Sequence, residues 1–145
     1  MFSTIVLGVD ASAHSKRAAE YAIKFAQQCE SKLLLVHVVD FSAFDTVLTS
    51  PRDIAEHVYE KIMKEAQGYL DDKEALCKSE GVACEKYLKI GHPVNEILKL
   101  AEENNAGFIV LGSKGRSGMG GSIFGSVAYG VLTREKTIPV FVVKK

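Results

Sequence analysis

Thr4-Ile5-Val6-Leu7-Gly8-Val9, then Ala13–Glu30, then Leu33-Leu34-Leu35-Val36-His37-Val38-Val39: this succession decides the fold. The first and last of these segments are short apolar runs with almost no polar alternation. Such runs suit strands of a parallel sheet covered on both faces. Between them Ala18, Ala22, Phe25, Ala26 and Cys29 recur at helical spacing, with Ser12 or Asp10 available as cap.

The alternation continues along the chain. Phe41–Ser50 reads as a loop, and Ser50-Pro51-Arg52-Asp53 reads as a helix start with serine as cap and proline at the first position. That helix carries Ile54, Val58, Ile62 and Ala66 at a four-residue repeat, then Tyr69, Leu70 and Leu76, and stops at Gly81. Its length invites a kink around Gly68. Val82–Ile90 is half-polar and suggests an edge strand. Gly91-His92-Pro93 opens a helix bearing Val94, Ile97, Leu98 and Ala101, closed by Asn104-Asn105. Phe108–Leu111 is the fourth strand. Gly112–Gly121 leads to a last helix with Ile123, Phe124, Val127, Val131 and Leu132, and Ile138–Val143 is the fifth strand. The order predicts an α/β doubly wound, five-stranded parallel sheet with helices on both faces, one domain over residues 1–145.

Composition excludes several classes. The chain has 145 residues, 47% of them apolar, and 18 basic residues balance 18 acidic ones. A zero net charge argues against a nucleic-acid coat or a polybasic membrane anchor, and the apolar content argues against disorder. No apolar run approaches the length of a membrane-spanning helix. Met1–Asp10 has neither a basic start nor a long apolar stretch, so no secretory leader is expected. Cys29, Cys77 and Cys84 lack metal-ligand spacing and read as free thiols of a cytoplasmic protein.

In such sheets ligands bind beyond the carboxyl ends of the strands, where the strand order reverses. There the sequence concentrates glycine: Gly112, Gly115, Gly118, Gly120 and Gly121 fall within ten residues. Glycine lets a ligand approach backbone N–H groups, which in such turns form an anion-binding nest. The following helix start, near Gly125 and Ser126, adds unpaired N–H groups and a positive dipole end. Ser113, Ser117, Ser122 and Ser126 supply hydroxyls, and Lys114 and Arg116 supply charge. The assembly suits phosphate; the plainer reading is a glycine loop with a solvated basic pair. Neither G-x-x-x-x-G-K-[ST] nor G-x-G-x-x-G occurs, so P-loop and dinucleotide sites are not expected.

Gly112-x2-Gly115-x9-Gly125-Ser126 resembles the G-x2-G-x9-G-[ST] pattern of ATP-binding universal stress proteins. Val9–Ser12, Leu34–Val39, Gly91–Pro93 and Pro139–Val143 are also similar to that family. The resemblance implies strand order 3-2-1-4-5 and an ATP, ADP or AMP ligand. Gly112, Ser113, Lys114, Gly115, Arg116, Ser117 and Gly118 would wrap the phosphates together with Gly125, Ser126, Val127 and Ala128. Gly8, Val9 and Asp10 would line the ribose and adenine side, Asp10 meeting ribose hydroxyls or a Mg2+ carried by the phosphates. Val38 would meet the adenine edge through its backbone. A homodimer through Ile138–Val143 is implied as well.

Other residues have plainer roles. Asp10 serves equally as a helix cap. His37, inside an apolar strand, reads as a satisfied core histidine, and Cys29 and Cys84 read as core. His14, His57 and His92 are scattered without metal-ligand spacing. Gly120, Gly121 and Gly130 are expected to loosen the last helix, since mid-helix glycine costs about 1 kcal/mol relative to alanine. The expected function is regulatory nucleotide binding with at most slow hydrolysis. The alternatives are a nucleotide-free dimeric interaction module and a flavodoxin-like flavin carrier.

Overall fold

The computed structural model describes residues 3–41, 56–114 and 125–144. Its elements are β1 (Thr4–Gly8), α1 (Ala13–Cys29), β2 (Lys32–Val39), α2 (Glu56–Ser79), β3 (Cys84–Ile90), α3 (Pro93–Glu103), β4 (Phe108–Gly112), α4 (Ser126–Arg134) and β5 (Val140–Val143). The strands form one parallel sheet in the order β3-β2-β1-β4-β5. This is the doubly wound, Rossmann-like architecture expected, and it brings the ends of β1 and β4 together at the reversal.

Period-two alternation divides the core. Ile5, Leu7, Leu33, Leu35 and Val110 pack beneath α1 and α2, joined by Ala18, Ala22, Ala26 and Leu70. Val6, Leu34, Val36, Ile109 and Leu111 pack beneath α3 and α4, joined by Ile97, Ala101 and Val131. With both faces covered, the strands need no polar positions, which is why their sequences are nearly unbroken apolar runs. Phe25 meets Phe108 edge-on at 5.3 Å and Phe141 at 4.7 Å, closing the core beside β5.

Local chemistry sets the element ends. Ser12 caps α1, its hydroxyl accepting from Ser15 N–H, and Glu30 ends it at φ +54°. α2 runs through Gly68 as one helix to Ser79. Gly81 then turns the chain at φ +71°, and Val82 N–H donates back to the Cys77 carbonyl at 2.9 Å. That bond places Val82 in the helix-closing turn, so β3 begins at Cys84. β5 likewise begins at Val140, because the Ile138 N–H is held by Glu135 Oε1. The expected helix start at Ser50–Asp53, Ile123 and Phe124 lie outside the described residues.

Cys77 is the fully buried thiol, and burial first, then Cys84 beside it, pushes it up to about 12. Cys29 and Cys84 are half-buried; Cys84 packs against the core beneath α1 and α2, as expected of a core residue, while Cys29 is less enclosed than expected. Among the described residues no helix is long and apolar enough to cross a membrane, and no cluster of His, Cys, Asp and Glu is placed to hold a metal.

Candidate functional site

β1 and β2 are held together up to Val9, whose N–H donates to the Val36 carbonyl at 2.8 Å. Beyond that point β1 leaves the sheet through a compact polar turn. Asp10 Oδ1 accepts the Ser12 N–H at 2.7 Å, Asp10 N–H donates to Ser15 Oγ at 2.9 Å, and Ser12 Oγ accepts the Ser15 N–H at 3.0 Å. Ser12 is therefore the cap of α1, and Asp10 shapes the turn that delivers it. Among the described residues the second carboxylate oxygen of Asp10 has no protein hydrogen bond.

β4 ends at Gly112. A Cβ there would lie 2.8 Å from the His14 backbone and Cβ, so this glycine admits the first turn of α1 against the strand end. The space a side chain at Gly112 would fill thus holds α1, while the residue also lines the cleft described below. Ser113 follows, 1% exposed and engaged in three directions. Its N–H donates to Val143, its carbonyl accepts the Gly125 N–H at 2.6 Å, and its hydroxyl shares a 2.8 Å hydrogen bond with His14 Nδ1. The hydroxyl expected to face phosphate is thus turned inward, where it ties α1, β4, β5 and the entry to α4 into one knot. Lys114 adds a long contact, its carbonyl accepting from Ser12 Oγ at 3.4 Å.

Between these strand ends and the start of α4 lies a cleft of about 120 Å³. Gly8, Val9, Asp10, Val38, Gly112, Val127 and Ala128, all expected at the site, line it together. Gly125 is the N-cap of α4, with its own N–H spent on Ser113, and no side chain among the described residues caps the helix. Among the described residues the N–H groups of Ser126, Val127 and Ala128 have no acceptor, so the positive end of α4 opens beside the cleft. Gly115, Arg116, Ser117 and Gly118 lie outside the described residues.

Sequence reading missed Ser15, Val36, His37, Pro93, Ile97 and Leu111, which also line the cleft. His37 is half-buried at the cleft wall, with its Nδ1 2.6 Å from the Val9 carbonyl and its ring edge-on to Tyr69 at 5.3 Å. Gly130 has a packing reason: a Cβ there would meet Val94 Cγ2 at 2.6 Å, so the glycine is a notch that seats α3 against α4. Chemically the cleft offers apolar walls, main-chain donors at both ends and one carboxylate. That set suits a flat base with an anionic tail.

A sequence profile described as "Universal stress protein family" matches residues 1–144. A universal stress protein of Methanocaldococcus jannaschii is 32% identical over all of this chain and 84% of its own length. One from Bacillus subtilis is 28% identical over 99% of this chain and 100% of its own length. A universal stress protein from Archaeoglobus fulgidus, solved in complex with dAMP, superposes with a TM-score of 0.71 at 24% identity, covering 99% of this chain and 98% of that one. An Arabidopsis thaliana family protein, solved with AMP bound, gives 0.66 at 22% identity, covering 99% of this chain and 92% of that one.

Proposed function

Because the chain belongs to the universal stress protein family, we propose that its cleft binds an adenine nucleotide and that the protein acts as a cytoplasmic regulator in a stress response. One observation carries this reading: the Val38 N–H and the first amides of α4, which have no partner among the described residues, open on the same apolar cleft. The base would lie against Val38, and the phosphates of AMP, ADP or ATP would meet the amides of Ser126, Val127 and Ala128, with Gly115–Gly118 completing the cradle. Asp10 would take ribose hydroxyls or a Mg2+ carried by the phosphates. The family members solved with dAMP and AMP support the reading. Asp10 is the one carboxylate among the described lining residues, so hydrolysis, which needs a positioned water and charge stabilisation, is expected to be slow.

Thermal unfolding tests this. A nucleotide that binds only the folded chain, at 100 times its dissociation constant, is expected to add about 2.7 kcal/mol, a rise in Tm of roughly 5–10 °C. No rise with AMP, ADP or ATP at millimolar concentration would overturn nucleotide binding.

The nucleotide-free dimeric interaction module is the competing reading; its dimer has its own observation and is compatible with nucleotide binding, whereas the absence of nucleotide is not. Ile109 N–H donates to Pro139 and Ser113 N–H to Val143, so odd-numbered residues of β5 bond to β4. Val140 and Val142 therefore point their N–H and C=O groups outward, beside the 47% exposed Phe141. We propose that this edge, Ile138–Val143, pairs with its copy about a two-fold axis. Val142→Pro removes an outward donor and leaves the β4 ladder intact. Sedimentation is expected to show a dimer for the native chain and a monomer for the variant; two dimers would refute edge pairing.

A further inference from the structure

The β1–β2 ladder ends in an irregular way. In a parallel ladder the Val9 N–H to Val36 carbonyl bond is followed by a bond from the Val38 N–H to the Val9 carbonyl. That second bond is not made. The Val9 carbonyl is taken instead by the imidazole of His37, at 2.6 Å. A carbonyl oxygen only accepts, so Nδ1 carries the proton. The ring is held for this contact by Tyr69 of α2, edge-on at 5.3 Å. Among the described residues the Val38 N–H then has no partner. Odd-numbered residues of β2 serve β3, as Gly91 N–H on the Val39 carbonyl shows, so Val38 directs its main-chain groups to the side that β1 has vacated.

We infer that His37 is a positioning residue of the cleft: by donating Nδ1–H to the Val9 carbonyl it competes with the Val38 N–H for that acceptor and tips the balance toward leaving the N–H free for the ligand. With the imidazole already on the Val9 carbonyl, the Val38 N–H competes for an acceptor that is partly spent, and the ladder stops at the Val9–Val36 bond. The inference rests on reading the cleft as a nucleotide site, but its structural half is independent of any nucleotide.

Three variants separate the possibilities. His37→Asn retains an N–H near the place of Nδ1, whereas His37→Gln places its amide further out and His37→Phe keeps the ring without a donor. In the ligand-free native chain, the Val38 amide is expected to exchange rapidly with solvent, and the ring nitrogens to show the Nδ1–H form by 15N NMR. In His37→Phe the Val38 amide is expected to bond to Val9, slowing its exchange about tenfold and weakening AMP binding by a similar factor. His37→Asn restores both values toward native; His37→Gln does not. A slow Val38 amide in the native chain, a bare Nδ1, or equal affinities in all three variants would overturn the inference. Should His37→Phe fail to fold, the native exchange rate, the ring spectrum and the Asn–Gln comparison decide it. If the native chain binds no nucleotide, the functional reading falls, while the exchange rates still decide what His37 does.

Discussion

Gly112→Val is expected to disrupt the fold before any ligand is added. A single Cβ at this position falls 2.8 Å from main-chain and side-chain carbons of His14, and the obstacle is helix backbone that cannot rotate aside. Relief requires α1 to lift from the end of β4, which would also stretch the His14–Ser113 bond. Overpacking of a tight site costs about 1–3 kcal/mol, and the branched side chain is expected at or above the top of that range. Gly112→Ala isolates the Cβ effect and is expected near the lower end. Urea denaturation of both variants without nucleotide measures it. If both unfold at the native midpoint, α1 is not seated on Gly112, and the glycine would have to be explained by the ligand alone.

Leu34→Ala and Leu35→Ala are expected to be comparably severe, each costing about 2–5 kcal/mol. Both side chains are 0% exposed, yet they project to opposite sides of β2. Leu35 belongs to the core beneath α1 and α2, Leu34 to that beneath α3 and α4. A sheet with one wet face would tolerate one of the two changes. A denaturation midpoint that moves for only one of them would contradict a sheet packed on both sides.

The strands were legible because their cause is local: a fully covered strand has no reason to alternate, and Thr4–Gly8 and Lys32–Val39 do not. Their ends were less so. Val82 is as apolar as a strand residue, but its burial comes from closing α2, which hydrophobicity cannot distinguish. At the cleft, the residues beside glycines and strand ends were readable, since topology alone places them. The contacts that organise those residues were not. His14 and Ser113 meet across 99 positions of sequence, and the His37–Val9 bond depends on the register between two strands. Glycine itself was a signal with an ambiguous cause. At Gly112 and Gly130 the close approach it permits is that of a neighbouring helix.

The notch at Gly130 has a mechanical corollary. Val94, which fills it, is flanked on α3 by Pro93 and Ile97, and these wall one side of the cleft; Val127 and Ala128 of the notched helix wall another. The two jaws are thus held at a fixed spacing by an interdigitating contact within the core that α3 and α4 share, in the manner of a caliper set to a gauge. If the cleft takes the nucleotide proposed for it, widening the gap for a bulkier guest would mean unseating that valine, a residue outside the cleft lining.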